Sequence, residues 1–476
     1  MKAREAVKVV RSRSGLWAGI AMTAVVSAAV LLLASCAEPP AGPNIVIVVL
    51  DTVRLDRTGA GGGTSVTPTL DALGEEGIVF TRAWANGPWT VPSHASIFTG
   101  LLPSSHQCTS RRFAFLPGSP TFAELLSENG YETAAFFSNP WLSDRLTGML
   151  VGFDARYSET GEGAEILNST DQGGARTLAN VGRWLSERRD DRPFLAFVNF
   201  LEAHLPYDPP ADYRAEFLAD APPGFVVTTG WAQRHNARAA MATTAELERA
   251  ARFYDGDVNT SDRYLGELLR QLRKHGLYED AVIIVTSDHG ENLGDHGFLD
   301  HQFGLFETLI EVPLVVRVPG TAQPGWSSAP VMLTDIYDTV VELAGVSDVP
   351  ETPHSRSLLS GSFEPARPQI AEYAGANHEL IKHLGNLNPA LDLTRYQTAF
   401  AKVRIEGLEL TVGTDGSLEL YDLEADPGRT KNRAGSDPGA VEALRAVLPQ
   451  GEWGESTDAE IDEEMRDQLR SLGYIE

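Results

Sequence analysis

Two cysteines in 476 residues, Cys36 and Cys108, are too few to staple a fold. A disulfide framework is thereby excluded, and stability has to come from a buried core. Cationic side chains are also in short supply. The 39 Lys and Arg stand against 65 Asp and Glu, a formal charge of −26. That balance excludes the broad basic face of a general nucleic-acid binder, while leaving room for a local cationic pocket. No internal repeat and no long low-complexity tract is visible either.

What is present is enough apolar residue, 42% of the chain, to bury a large core in one large domain plus a smaller one. The first 35 residues read as a targeting segment. Lys2, Arg4, Lys8, Arg11 and Arg13 precede the apolar run "LWAGIAMTAVVSAAVLLLA". "LASC", ending at Cys36, resembles a bacterial lipobox, which predicts a lipid on Cys36, membrane attachment through it, and an extracytoplasmic, envelope-bound body. An uncleaved anchor helix is the alternative, since about 20 apolar residues span a bilayer. Residues 36–43 read as a tether. With Cys36 lipidated, Cys108 is a plain small side chain.

Short apolar runs then alternate with amphipathic stretches. "NIVIVVLD" (44–51), "YETAAFF" (131–137), "FLAFVNF" (194–200), "AVIIVTSD" (281–288) and "VPLVVRV" (312–318) read as strands buried on both faces. "PTLDALGEEG" (68–77), "TFAELLSENG" (121–130) and "SDRYLGELLRQLRKHG" (261–276) read as helices, each closed by glycine. The alternation predicts an α/β fold: a large, mainly parallel mixed sheet with helices on both faces, over residues 44–365. From 399 to 427 the pattern changes to polar–apolar alternation around a "TDG" turn, which predicts hairpins. A smaller antiparallel subdomain is therefore placed at 366–476, with a terminal helix in "DAEIDEEMRDQLRSLG".

In such sheets function collects at the carboxyl ends of the strands. Those ends carry Asp51 with Thr52, Ser138 with Asn139, the "EAH" ending at His204, and Asp288 with His289. Oxygen and imidazole ligands of this kind suit one divalent cation, manganese, zinc or calcium. A second concentration is "TSDHGENLGDHGFLDH" (286–301), which adds His296 and His301 in one loop. In "WTVPSHASIFTG" (89–100), Pro92 is pre-set for a first helical turn and Thr90 stands as a helix N-cap. A hydroxyl there also faces unpaired backbone donors, a natural seat for an oxyanion, and a nearby cation would activate it as a nucleophile.

In their order along the chain, these segments resemble the sulfatase family within the alkaline-phosphatase superfamily, over nearly all of 44–476. "NIVIVVLDTVRLD" is similar to the family's opening strand with its first metal aspartate, and "TVPSHASIFTG" to the nucleophile motif Cys/Ser-x-Pro-Ser-Arg followed by Thr-Gly. "NGYETAAFFSNPWL", "NFLEAHLPY" and "TSDHGENLGDHG" resemble the second signature, the His-x-Pro-Tyr segment and the second metal pair. "ELYDLEADPGRTKNRA" resembles the C-terminal Leu-Tyr-Asp-Leu segment. By residue matching, the resemblance implies that Asp51, Thr90, Asp288 and His289 bind the cation. It implies that His204 and His301 contact the transferred group or protonate the leaving oxygen, and that His94 supports the Thr90 alkoxide or the oxyanion. His296 is placed behind the ligands, Arg54 and Asp56 as braces of the strand-end loop, and His378 and His383 beside the pocket.

The departures from the family pattern carry information. Thr90 stands where the family has the cysteine or serine that is oxidised to formylglycine, and threonine is not a substrate for that oxidation. His94 replaces the motif's arginine, Thr52 the second of two paired aspartates, and His301 a lysine. Phe137 and Ser138 occupy the place of another lysine. A threonine nucleophile is similar instead to the phosphoryl-transfer branches of the superfamily. The expected activity is thus hydrolysis of a phosphate or sulfate ester on a small molecule, glycan or lipid, through a covalent Thr90 intermediate. The alternatives are an envelope phosphoryl transferase and a sulfatase-fold binding protein without turnover.

Overall fold

The computed structural model describes residues 42–449, apart from 64, 116–117, 159–171, 190, 223, 321–323, 361–363 and 365. The leader, Cys36, most of the tether and the terminal helix expected at 458–473 lie outside the described residues. None of the helices described is long and apolar enough to cross a membrane.

Every strand expected from an apolar run forms: β1 (Asn44–Leu50), β3 (Glu132–Phe137), β5 (Phe194–Phe200), β6 (Ala281–Thr286) and β9 (Glu311–Arg317). With β2 (Ile78–Trp84), β4 (Ala155–Ser158), β10 (Gly325–Ser327) and β11 (Val331–Met332) they make a nine-stranded sheet. Its order is β10-β2-β9-β6-β1-β5-β3-β4, with β11 also on β2. Pairings are parallel except at β9, which runs antiparallel to both β2 and β6. The sheet is therefore mixed and mainly parallel, as the alternation of elements implied.

β1 shows why a continuous apolar run is required at the centre. Ile45, Ile47 and Val49 enter one core with the helices Thr90–Thr99, Phe122–Glu128 and Asp335–Leu343. Val46, Val48 and Leu50 enter the other, with Gly174–Glu187 and Thr244–Lys274. Successive side chains point to opposite faces, so a strand covered on both sides has no polar position to spare.

The helix expected at 261–276 starts 17 residues earlier, at Thr244. A capping box sets that start: the Thr243 side chain accepts the Glu246 N–H, and Glu246 answers to the Thr243 backbone. Its middle buries Asp257, Thr260, Ser261 and Asp262, polar residues that break the apolar stripe visible in the sequence. Asp262 Oδ1 and Oδ2 accept the Leu70 and Thr69 N–H at 2.8 Å, so this helix caps its neighbour Pro68–Glu76.

β12 (Gln369–Tyr373), β13 (Phe400–Ile405), β14 (Leu408–Gly413) and β15 (Leu418–Asp422) form the smaller antiparallel sheet, in that order. It is a separate sheet inside one compact unit that begins at Gly42. Lys402, Arg404 and Arg429 converge on the buried Glu409, and Arg404 and Arg429 also reach Glu311 at the start of β9.

Candidate active site

The carboxyl ends of β1, β3, β5 and β6 lie side by side, and each delivers its polar residue to one place. Asp51 follows β1 and is fully buried. Its Oδ1 accepts the Thr52 hydroxyl at 2.8 Å, and its Oδ2 accepts the side-chain amides of Asn139 (2.7 Å) and Asn199 (3.0 Å). Burial alone would raise this carboxyl. The surrounding imidazoles of His289, His204 and His94, with the Asn139 amide, outweigh it and hold Asp51 below the ordinary aspartate range.

Asp288 and His289 follow β6. Asp288 Oδ1 accepts the N–H groups of Thr52 (3.2 Å) and His289 (3.0 Å), whereas Oδ2 has no hydrogen bond. That oxygen lies 3.3 Å from His289 Nε2 and 3.4 Å from His94 Nδ1. His289 Nδ1 donates to the Gly290 carbonyl at 2.9 Å, which leaves Nε2 as a buried lone pair without a hydrogen-bond partner. Burial and the neighbouring Asp51 push Asp288 well above its ordinary range; burial and His301 push His289 well below.

These observations test the fit of a cation directly. Asp51, Asp288 and His289 each offer one ligand atom, all within 4.8 Å of one another. Two buried carboxylates that repel each other, an orphaned carboxylate oxygen and an imidazole lone pair are what a divalent ion relieves. The residues fit.

Thr90 opens the helix Thr90–Thr99 and is fully buried. It is not the cap. Trp89, in extended conformation (φ −157°, ψ 170°), occupies the N-cap without a side-chain cap bond. The Thr90 hydroxyl instead meets the Asn139 amide at 3.1 Å. One turn on, His94 Nδ1 donates to the Thr90 carbonyl at 2.9 Å, and its Nε2 is buried without a partner. Ser93 ties the helix to β6 by donating to the Asp288 carbonyl at 2.6 Å.

Thr52 does not take up the role of a second aspartate ligand. It sits in the left-handed region (φ 65°), costly for a β-branched residue, and every polar group on it is used. Its hydroxyl goes to Asp51, its N–H to Asp288, and its carbonyl accepts the Tyr254 phenol at 2.7 Å. It orients both aspartates.

His204 and His301 lie next to each other. The His204 Nδ1 donates to the Leu205 carbonyl at 2.6 Å, and its ring lies 5.0 Å from that of His301. The His301 ring is 4.5 Å from that of His289. The structure thus gathers Asp51, Thr90, His94, His204, Asp288, His289 and His301.

His296, expected behind the ligands, lies elsewhere. It stacks on Phe306 at 4.1 Å and pairs with Glu307 at 3.1 Å, partly exposed. Arg54 is the brace expected of it: it forks onto Asp56 (2.9 and 2.8 Å) and reaches Asp295 (2.6 Å) and the Glu291 carbonyl (3.0 Å). His378 and His383 belong to the helix His378–Leu387, which packs on Thr229–Asn236. Sequence reasoning missed Asn199, Glu291 and Asp300 and gave Asn139 no role. The signal for Asn199 was an amide inside an otherwise apolar strand.

A model of the sulfatase family matches residues 43–346. The chain belongs to the sulfatase family. A choline-sulfatase of Rhizobium meliloti is 25% identical over 451 residues, covering 84% of each chain. The arylsulfatase K of Bos taurus is 23% identical over 456 residues, covering 86% of this chain and 81% of its own. Among solved structures, the phosphonate monoester hydrolase of Agrobacterium radiobacter superposes with a TM-score of 0.68 at 24% identity, over 90% of this chain and 96% of its own. This sulfatase-family chain is accordingly an ester hydrolase, built on the family's α/β fold.

Proposed function

We propose that this ester hydrolase transfers a phosphoryl group from its substrate to Thr90 and then to water, with phosphorus preferred over sulfur. The observation that carries this reading is the shared Asn139 amide, which ties the Thr90 hydroxyl to the metal-ligand candidate Asp51. In sulfatase activation a cysteine or serine becomes a formylglycine hydrate; a threonine hydroxyl attacks directly and needs no such oxidation.

Asp51, Asp288 and His289 would hold the divalent ion, with Thr90 as the fourth ligand. When bound, such an ion lowers the hydroxyl's pKa and offsets charge developing on the substrate. The rest falls to the chain. Asn139 orients the Thr90 Oγ1, which, its proton lost to solvent, attacks phosphorus while the ester P–O bond breaks. His204 or His301 gives the leaving alkoxide its proton. His94, anchored to the Thr90 carbonyl, holds its Nδ1 3.4 Å from Asp288 Oδ2 and so braces the nucleophile against the ligand set, and the first turn of the helix adds its positive dipole end. Water then attacks the phosphothreonine and releases phosphate. The "LASC" segment supports an envelope-bound, lipid-anchored setting.

The test is an assay of the full chain in detergent with manganese, zinc or calcium. Aryl sulfate, phosphate monoester, phosphodiester and phosphonate are offered in parallel. The reading expects turnover on a phosphorus ester and its loss, by about 10³-fold or more, in Thr90→Ala. Unchanged turnover in that variant removes the nucleophile. Turnover of sulfate alone removes the preference for phosphorus, and metal uptake without turnover of any ester indicates a binding protein.

A further inference from the structure

Next to the Asp51–Asp288–His289 cluster lies a second one, of which the proposed chemistry uses only His301. Glu291, Asp300 and His301 each offer a ligand atom, again all within 4.8 Å of one another. We propose that they form a second divalent-cation site, of the kind that takes zinc or manganese, immediately beside the first.

Three observations carry this beyond a mere gathering of acids. Glu291 is fully buried, yet neither of its carboxylate oxygens has a well-formed hydrogen bond; the Tyr207 phenol and His301 are the polar groups beside it. A buried carboxylate left so is expensive unless something positive meets it. Among the described residues, moreover, no lysine or arginine forms an ion pair with Glu291 or Asp300. Their ion-pair partner is the His301 imidazole, and the Tyr207 phenol is the other polar group beside Glu291.

The spacing also suits a metal. His301 Nδ1 lies 3.0 Å from Asp300 Oδ1 and 3.6 Å from Glu291 Oε2. Ligands about 2.1 Å from a tetrahedral ion stand roughly 3.4 Å apart, so small shifts bring all three to bonding distance. Asp300 reaches this place from a left-handed backbone (φ 72°) at the end of β8 (Leu299–Asp300), which pairs with β7 (Asn292–Leu293) just after Glu291. The short ribbon thus holds the first and second ligands against each other. Coordination through Nδ1 would leave His301 Nε2, itself buried and without a partner, free to donate toward the neighbouring centre.

The inference does not depend on Thr90 or on the ester hydrolysed, because metal content can be read without turnover. The full chain in detergent is stripped with chelator, equilibrated with Mn²⁺ or Zn²⁺, freed of excess ion and analysed by elemental mass spectrometry. Two equivalents per chain are expected, falling to one in Glu291→Gln and in Asp300→Asn, with circular dichroism confirming that each variant is folded. The manganese-loaded wild-type protein is expected to show the electron paramagnetic resonance spectrum of a coupled pair, since the His289 and His301 rings are only 4.5 Å apart. That measurement stands even where a variant does not fold. A single equivalent in the wild type, an uncoupled spectrum, or two equivalents retained in both variants overturns the second site.

Discussion

One amide nitrogen, Asn139 Nδ2, donates to Asp51 Oδ2 at 2.7 Å and meets Thr90 Oγ1 at 3.1 Å. Asn139 therefore orients a ligand and a nucleophile at once, and removing it should misplace both. Asn139→Ala is expected to lower kcat by about 10²–10³-fold at saturating metal, while the thermal transition moves little. Steady-state kinetics beside a melting curve check this; a stability loss that accounts for the whole activity loss would make Asn139 merely structural.

The apo protein stores a repulsion between Asp51 and Asp288. Asp288→Asn keeps the acceptor for the Thr52 and His289 N–H groups and removes the ionisable carboxyl that Asp51 repels. Calorimetry is expected to find the metal-free variant more stable than the metal-free wild type. Added cation should stabilise the wild type by about 2.7 kcal/mol at a hundred times its Kd, and the variant hardly at all.

Glu372 gives a pH dependence remote from the ligands. It is buried, with Oε2 accepting the Ser104 N–H at 2.6 Å and Oε1 without a partner. Burial outweighs that hydrogen bond and pushes its carboxyl from 4.5 up to about 7. A raised carboxyl means that the unfolded chain releases its proton first, so stability falls as pH climbs from about 4.5 to 7 and stays lower above. The loss is on the order of 3 kcal/mol. Urea unfolding should show Glu372→Gln matching the wild type at pH 5 and exceeding it at pH 8.

Gly290 cannot carry a side chain. A Cβ there would stand 2.0 Å from the Thr308 carbonyl oxygen, which accepts the Glu291 N–H, while the Gly290 N–H donates to the next carbonyl, that of Leu309. Gly290→Ala should move the Asp288–His289 turn, costing several kcal/mol and most metal affinity. Metal titration of any folded fraction reads the second effect separately.

Much of this was legible before any coordinates. Runs such as "NIVIVVLD" read as doubly covered strands, and the aspartates that end the first and the fourth, Asp51 and Asp288, lie at the sheet's carboxyl edge. What stayed hidden depends on three dimensions. The middle of the helix Thr244–Lys274 buries polar residues, of which Asp257 and Asp262 serve other segments, so its stripe is broken. Thr90 looked like a cap because Ser, Thr, Asp and Asn usually cap; the extended Trp89 takes that place, and no local pattern signals it. His296 and His301 read alike in one loop, but the chain turns between them and sends only His301 inward.

The carboxylate of Glu311 lies within the stretch matched by the family model, whereas its partners Arg404 and Arg429 lie beyond it. The C-terminal sheet is thus keyed to the main one by charge. A tail exchanged between relatives at that boundary would have to bring its own matching counter-charge, or leave Glu311 without the two guanidinium groups that reach it.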